Sequence, residues 1–303
     1  MILKTNQFRY NAHLFVNIIM TRHNLNILIQ YLLPQHALSR LAGWLSNRRW
    51  LWFKNWQINF FIKRYNVDIN AALLPTVEDY PTFNSFFTRK LKPNLRPLPA
   101  ETNAIISPAD GCISQLGNIN HDQLFQAKGF HFTSHALLGS TEHAEQFQDG
   151  SFITIYLSPK DYHRVHMPFT GKLRETIYIP GKLFSVNQQT VRTVPQLFSR
   201  NERLVCLFDT DFGPMAIILV GAMLVGSINT AWDSQSPQSK KIVRKTYSQS
   251  SAIILNRGDE LGYFKMGSTV IALFPKKKIH WAPNLGENSL LQMGEFLGKT
   301  LTS

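Results

Sequence analysis

Four short stretches of the sequence carry side chains that can take part in catalysis. They are SPADG at 107–111, YHRVHMP at 162–168, VGAMLVGSI at 220–228 and GYFKMGST at 262–269. Each has an ordinary structural interpretation when it is taken alone. An aspartate in a turn, such as Asp110, usually bonds its own backbone. The 220–228 stretch is typical of a glycine-containing turn between strands, and Gly267-Ser268 is typical of a turn before an apolar strand. No single stretch therefore identifies a reaction.

The two histidines of the second stretch lie three residues apart. His163 and His166 can ligate zinc, act as a catalytic pair or be ordinary loop histidines. No third ligand lies at a recognisable spacing, and the two cysteines, Cys112 and Cys206, are isolated. The histidine pair alone does not decide between these roles, and a zinc-dependent hydrolase that uses Asp110 with both histidines remains an alternative.

Taken together, three of the stretches resemble the signature of the phosphatidylserine decarboxylases. The segments 107–111, 162–168 and 267–269 follow one another in the order of that family's motifs. The resemblance covers roughly residues 25 to 280. Further matching segments are QYLLP at 30–34, RLAGW at 40–44, LFSVN at 183–187, NER at 201–203 and FDT at 208–210. A match this dense is stronger than the accidental occurrence of one motif.

The resemblance implies a proenzyme that makes its own cofactor. The Ser268 hydroxyl would attack the carbonyl carbon of Gly267, whose lack of a side chain lets the backbone reach a strained geometry. The cut would give a β-chain of residues 1–267 and an α-chain of residues 268–303. Ser268 would become a pyruvoyl group at the start of the α-chain, and no metal would be needed.

The family also assigns roles to the other matched side chains. By resemblance, His166 is the base that activates Ser268, and Asp110 orients that base. His163 would sit beside the substrate adduct and assist decarboxylation or reprotonation. The implied reaction converts phosphatidylserine to phosphatidylethanolamine and carbon dioxide, through a Schiff base between the pyruvoyl ketone and the lipid amine.

The choice of cleavage site needs an argument, because the family's usual string, LGST, occurs at 138–141. The expected position carries MGST at 266–269 instead. We predict the cut at the second string, because it enters an apolar strand near the C-terminus and follows the histidine motif. Leucine to methionine before the glycine is a volume-conserving change.

Positive charge is concentrated at the N-terminus of a chain whose net charge is +13. Residues 1–67 contain no Asp or Glu but carry nine basic residues and four of the six tryptophans, Trp44, Trp50, Trp52 and Trp56. An anionic membrane surface suits this composition. Single-stranded nucleic acid or simple packing of basic helices on the protein body would also suit it. A non-enzymatic lipid- or nucleic-acid-binding protein is therefore a second alternative.

We predict that this N-terminal region lies on a membrane rather than across it, because no run approaches the roughly 20 apolar residues that a spanning helix needs. The expected partners are phosphatidylserine and the anionic surface, with no nucleic acid. The expected location is the cytoplasmic side of the cell membrane, peripherally bound. Two isolated cysteines fit a reducing compartment. The processed form is expected to be a β-chain/α-chain heterodimer, with a higher oligomer left open.

The predicted fold class is α+β, with N-terminal membrane-associating helices followed by a β-rich catalytic region. Helices are expected over about 24–66, and prolines punctuate a connector over 75–99 that contains a short helix at 83–87. Short β-type runs bounded by Gly, Pro and Asp follow from about residue 105, among them 152–157, 251–255 and 269–274. The predicted domains are an extension at 1–23, a helical membrane-binding region with its connector at 24–100, and a catalytic domain at 101–303.

Overall fold

The computed structural model describes residues 22–223, 228–233, 239–248, 252–265 and 268–301. Most of the predicted N-terminal extension lies outside these ranges, as do Met266 and Gly267 of the predicted cleavage motif. The helices of the described part are α1 (Arg22–Leu32), α2 (Gln35–Ser46), α3 (Leu51–Tyr65), α4 (Phe83–Phe87), α5 (Ser134–Leu138), α6 (Thr141–Glu145), α7 (Gln188–Val191) and α8 (Leu197–Arg200).

Local capping interactions determine where α3 ends and where α4 begins. Asn66 adopts the left-handed conformation that asparagine tolerates and ends α3. Thr82 and Ser85 form a reciprocal capping box that starts α4. Helices α3 and α4 pack together through an apolar cluster that includes Ile58, Phe61 and Phe86. This cluster joins α3 to α4, while Trp52, Trp56 and Phe60 of α3 are exposed among the described residues.

Strands dominate the chain after residue 103. They are β1 (Ala104–Ile106), β2 (Gly111–Asn118), β3 (Gln123–Ala127), β4 (Phe130–Thr133), β5 (Ser151–Leu157), β6 (Arg164–His166), β7 (Gly171–Ile179), β8 (Arg203–Thr210), β9 (Gly213–Val220), β10 (Ile228–Thr230), β11 (Val243–Thr246), β12 (Ile254–Leu255), β13 (Glu260–Phe264), β14 (Ser268–Phe274), β15 (Ile279–Trp281), β16 (Leu290–Leu291) and β17 (Phe296–Thr300). The predicted α+β class with a β-rich C-terminal region is confirmed. The domain boundaries remain a prediction.

The main sheet has nine strands in the order β11-β7-β8-β9-β14-β5-β2-β16, with β12 also paired to β7. Every pairing within it is antiparallel. Two three-stranded sheets, β1-β17-β15 and β10-β13-β6, and the hairpin β3-β4 complete the β structure among the described residues. The second of these small sheets carries the histidine motif on β6.

Strand β14 lies in the middle of the main sheet, between β5 and β9. Its seven residues are all buried. Val270, Ala272 and Phe274 belong to one core cluster, while Ile271 and Leu273 belong to the cluster on the opposite face. A strand covered on both faces requires a continuous apolar sequence rather than an alternating one. This explains the run of apolar residues that follows Ser268.

Within the described ranges, no helix combines the length and the apolar character that crossing a bilayer would require.

Candidate active site

Ser268 is the first residue of β14 and pairs with Leu157, the last residue of β5. Its side chain is fully buried, and its Oγ atom has no hydrogen-bond partner among the residues that the structure describes. Buried hydroxyls are normally satisfied, so an orphaned one is a feature that needs an explanation. A hydroxyl without a partner is available to react with the peptide bond beside it. Gly267, on the other side of that bond, lies outside the described residues.

His163 lies on the loop that leaves β5 and leads into β6. Its side chain is fully buried, and its ring stacks on Phe87 of α4 with the ring centres 4.1 Å apart. Neither ring nitrogen makes a hydrogen bond of ordinary geometry, although the carbonyls of Ser158 and Pro159 lie near enough to favour protonation. Burial and the positive charge of Arg89 oppose protonation more strongly and lower the pKa of His163 to about 3. The ring is therefore neutral at physiological pH.

The chain path brings His163 and Ser268 to the same end of the main sheet. The backbone carbonyl of His163 accepts a hydrogen bond from the amide of Phe264, at 3.1 Å. Phe264 precedes Ser268 by four residues, a span of at most about 14 Å. On the other side, Ser268 pairs with Leu157, from which the His163 loop departs. These two backbone connections therefore place the His163 loop and the start of β14 at the same end of the main sheet.

His166 ends β6, and its backbone amide donates to the carbonyl of Pro108. Its Nδ1 lies 2.8 Å from the carbonyl oxygen of Gly258, and its Nε2 lies 3.1 Å from the hydroxyl of Tyr162. A carbonyl can only accept, so Nδ1 carries the proton and Nε2 of the neutral ring accepts from Tyr162. Burial lowers the pKa of His166, although the Gly258 carbonyl and nearby carboxylates oppose that shift. The ring is held as a neutral base with its lone pair on Nε2.

Asp110 lies directly before β2 and is held on both carboxylate oxygens. Its Oδ1 accepts from the backbone amide of Met293 at 2.7 Å and from Nε of Arg96 at 3.2 Å. Its Oδ2 accepts from Nη2 of Arg96 at 2.6 Å. The pair is bidentate and mostly buried, which fixes the carboxylate firmly.

The orientation of His166 by Asp110 stays a prediction, and it would not act through a direct hydrogen bond in this structure. The structure shows no direct hydrogen bond between them, and the Gly258 carbonyl orients the imidazole instead. The SPADG segment still touches the histidine strand, because Pro108 accepts from the His166 amide. Asp110 acts on His166 through its charge, which favours the protonated ring. A role for Asp110 in self-cleavage remains a prediction.

Gly111 explains why a glycine follows this aspartate. A Cβ atom there would overlap the carbonyl oxygen of Tyr156 on the paired strand β5. The close approach of β2 to β5 therefore requires glycine at this position.

Three side chains of the site were missed by the sequence interpretation. Arg96 holds Asp110, Tyr162 bonds His166, and Arg89 lies close enough to His163 to lower its pKa. Tyr162 belongs to the histidine motif, so the sequence singled out its position. Nothing in the sequence indicated that its hydroxyl bonds His166. Arg89 and Arg96 lie in the proline-punctuated connector, where nothing in the sequence distinguishes them from solvent-exposed basic residues.

The LGST string at 138–141 has a structural role. Leu138 ends α5, and Gly139 follows it in the left-handed conformation that caps a helix, with φ of 65°. Ser140 then caps α6, accepting from the His143 amide. The string therefore joins two short helices, and the Ser140 hydroxyl already has a partner. It does not enter a strand.

Within the described residues, no group of three or more His, Cys, Asp or Glu side chains is arranged to hold a metal ion. Asp110 is instead occupied by Arg96, and both ring nitrogens of His166 have other partners. The arrangement that the zinc alternative requires is therefore not formed by these side chains.

Comparisons with known proteins agree with the motif pattern. The family model described as phosphatidylserine decarboxylase matches residues 83–299, and a model described as PSD matches residues 25–66. A phosphatidylserine decarboxylase proenzyme of Alcanivorax borkumensis is 53% identical over 280 residues, covering 91% of this chain and 96% of the relative. The proenzyme of the same name from Coxiella burnetii is 52% identical over 268 residues, covering 88% and 95%. The chain belongs to the phosphatidylserine decarboxylase family.

Proposed function

We propose that this chain is a proenzyme that cuts itself between Gly267 and Ser268 and then decarboxylates phosphatidylserine to phosphatidylethanolamine. The observation that carries the proposal is the fully buried Ser268 hydroxyl, which lacks a partner at the first position of a central strand. The proenzyme names of the relatives fit self-processing.

The proposed cleavage uses groups of the chain itself. The Ser268 Oγ attacks the Gly267 carbonyl carbon, the peptide C–N bond breaks, and an ester replaces the amide. In this step the hydroxyl loses a proton, for which we propose His166 Nε2 as the base, and the departing Ser268 nitrogen gains one. The Tyr162 hydroxyl donates to that Nε2, so it must release the lone pair before the base can act. Elimination of the Gly267 carboxylate from the ester then separates the two chains, and hydrolysis of the resulting dehydroalanine releases ammonia and leaves the pyruvoyl group. The Arg96–Asp110 pair fixes the segment against which the His166 backbone is bonded.

A pyruvoyl group derived from Ser268 fits its surroundings. The orphaned Oγ shows that one polar oxygen is accommodated there without a partner from the protein. When present, the group supplies a sink for the electron pair that remains after carbon dioxide departs. The surrounding residues exclude water, because Ser268, His163 and Thr269 are fully buried. Low polarity at the site favours loss of a charged carboxylate as a neutral gas.

The processed chains are expected to remain associated. Strand β14, which begins the proposed α-chain, is hydrogen-bonded to β5 and β9 of the proposed β-chain. Two further α-chain strands pair with the β-chain, β16 with β2 and β17 with β1. A cut at the start of β14 removes none of these ladders. The product is thus a β-chain/α-chain heterodimer.

The reaction is tested directly with detergent-dispersed phosphatidylserine. We expect the purified chain to release carbon dioxide and to form phosphatidylethanolamine, as measured by lipid mass spectrometry. The Ser268→Ala variant, prepared in parallel, should form none. Appearance of free serine or phosphatidic acid in place of phosphatidylethanolamine would contradict the proposal and favour the hydrolase alternative.

We propose further that α2 and α3 dock the enzyme on an anionic membrane surface at the cytoplasmic side. Trp52, Trp56 and Phe60, spaced four residues apart on α3, are 74%, 60% and 57% exposed. Trp44 and Trp50 are also about half exposed. Large apolar side chains grouped in this way are unusual on a soluble surface. Indole and phenyl rings lying beside cations are typical of interfacial helices.

The basic residues of this region differ in how far they are exposed. Arg40, Arg49, Lys63 and Arg64 are exposed, so they can reach lipid headgroups. Lys54 is buried, and its ammonium group donates to the carbonyls of Val77 and Glu78. The membrane attraction therefore comes from fewer cations than the sequence alone counts, each contributing about 1 kcal/mol near an anionic surface.

Membrane binding is tested by sedimentation with liposomes. The triple variant Trp50→Ala, Trp52→Ala, Trp56→Ala is expected to bind anionic vesicles less tightly than the wild type. High salt should weaken the wild type only in part, because charge attraction is screened beyond about 8 Å at physiological salt, whereas buried rings are insensitive to salt. The matched control replaces Ile242 and Ile254, exposed apolar residues on the β-rich body, with alanine. Equal binding to neutral and anionic vesicles, with no loss in the tryptophan variant, would overturn this proposal.

A further inference from the structure

Arg89 carries a buried guanidinium that the fold leaves partly unsatisfied. The residue is 5% exposed, and it lies two positions after Phe87, the residue that stacks on His163. Its Nη2 donates to the carbonyl of Lys160 at 2.9 Å. Its Nε and Nη1 atoms have no hydrogen-bond partner in the described part of the chain. No carboxylate among the described residues forms an ion pair with it, so the charge has no direct counter-ion.

A buried cation with two unsatisfied donors is unfavourable for folding. Burial lowers the pKa of Arg89, and the charges of Tyr80, Asp110 and Asp161 offset this only in part. Arg203 shows what this fold does with a structural arginine, because its guanidinium donates to four backbone carbonyls, those of Leu137, Ser199, Asn201 and Ala136. Arg89 has the burial of such a residue, but its carbonyl contacts among the described residues are only those of Nη2 with Lys160 and, at 3.4 Å, with Asp161. Its unsatisfied Nε and Nη1 donors lie on different edges of the guanidinium, and each can donate to an oxygen of an anion such as a phosphate or a carboxylate.

Arg89 belongs spatially to the candidate active site. Its charge lowers the pKa of His163, and Asp110 acts electrostatically on its own pKa. Its hydrogen bond to Lys160 also fastens the loop that connects Leu157, the partner of Ser268, to His163. The unsatisfied guanidinium therefore lies beside the residues that the proposed function places around the substrate.

We propose that Arg89 binds the phosphodiester of the phospholipid substrate. The inference rests on the proposed function, which makes a phospholipid the ligand of this site. That ligand brings two anions, a carboxylate and a phosphodiester. A cation paired with the carboxylate would stabilise the charge that decarboxylation must remove, and so would oppose the reaction. The phosphodiester keeps its charge from substrate to product, so binding it costs the reaction nothing.

The test measures steady-state kinetics and product inhibition with phosphatidylserine in mixed micelles. Phosphatidylethanolamine is the useful inhibitor, because it retains the phosphodiester and lacks the carboxylate. Arg89→Gln is expected to raise KM for phosphatidylserine by about tenfold or more and to weaken inhibition by phosphatidylethanolamine to a similar extent. The value of kcat should change little, and Arg89→Lys should retain part of the affinity. Lys90→Gln is the matched control, since it removes an exposed positive charge at the next position.

Each possible result decides for or against the proposal. A raised KM with unchanged inhibition by phosphatidylethanolamine would place the carboxylate on Arg89 and overturn the assignment. Wild-type kinetics in Arg89→Gln would also overturn it. If neither Arg89→Gln nor Arg89→Lys cuts itself, Arg89 acts before any lipid binds, and the assigned role is wrong. Turnover by the wild type in the same assay separates failure of this proposal from failure of the proposed function.

Discussion

Replacing Ser268 by alanine is expected to leave the chain at its full length. The wild type should give two masses under denaturing conditions, a β-chain ending at Gly267 and an α-chain of residues 268–303 whose N-terminus is blocked by pyruvoyl. The physical reason is that alanine removes the hydroxyl beside the Gly267–Ser268 peptide bond, whose Oγ is buried and has no partner among the described residues. Ser140→Ala is the matched control and should cut like the wild type, because Ser140 caps α6. A cut beside Ser140, or a single uncut mass from active protein, would contradict the assignment.

The same measurement tests the base and its surroundings. His166→Ala and Asp110→Asn are each expected to leave the chain whole, the first because Nε2 is lost. Asp110→Asn is expected to do so because it leaves Arg96 without its buried counter-ion.

The pH dependence of the cut follows from the lowered pKa of His166. The ring stays neutral, and so able to act as a base, at pH values below the ordinary histidine pKa of about 6.5. In a cell-free synthesis followed over time, the cutting rate should therefore hold from pH 8 to 6.5 and fall only in more acidic buffer.

The secondary structure was largely predictable because short apolar runs bounded by turn residues specify antiparallel strands. The predicted strand at 152–157 occurs as β5 and that at 269–274 as β14, each starting one residue earlier. The predicted helix at 83–87 has those same bounds. The predicted strand at 251–255 is shorter, since only Ile254–Leu255 pairs with β7 within the described residues.

The partners of the site residues were not predictable in the same way. Asp110 is held by Arg96, fourteen residues earlier, and His166 by Gly258, ninety-two residues later. Contacts at such separations depend on how strands are ordered in a sheet, and no local pattern records that order. The sequence interpretation therefore named candidate side chains but could not name the residues that hold Asp110 and His166 in place.

Charge counting failed for a related reason. Lys54 lies in a segment without acids and was grouped with surface cations, yet the fold buries it against two carbonyls. Arg89 was likewise one basic residue among many in the connector. A cation is buried only when tertiary structure brings acceptors or a ligand to it, so its environment becomes visible only in the folded chain.

Replacing His163 is expected to separate making the cofactor from using it. His163→Ala should still cut, at least in part, because neither ring nitrogen of His163 makes a hydrogen bond of ordinary geometry and so neither is needed to hold the fold. Decarboxylation of phosphatidylserine should fall by about a hundredfold or more, the usual loss when a group that moves a proton is removed. Intact mass measures the cut, and formation of phosphatidylethanolamine per pyruvoyl-bearing chain measures the turnover.

A phenylalanine at the same position distinguishes chemistry from packing. His163→Phe keeps an aromatic ring against Phe87, where the histidine now stacks at 4.1 Å, but it has no nitrogen. If the nitrogens act on the substrate, His163→Phe should be as inactive as His163→Ala while cutting normally. Because burial lowers the pKa of His163 to about 3, its ring is neutral from pH 5 upward. The pH profile of kcat/KM, which reports the free enzyme, should therefore show no inflection from this residue between pH 5 and 8. Wild-type turnover by His163→Phe would reduce His163 to a packing residue and contradict its assigned role.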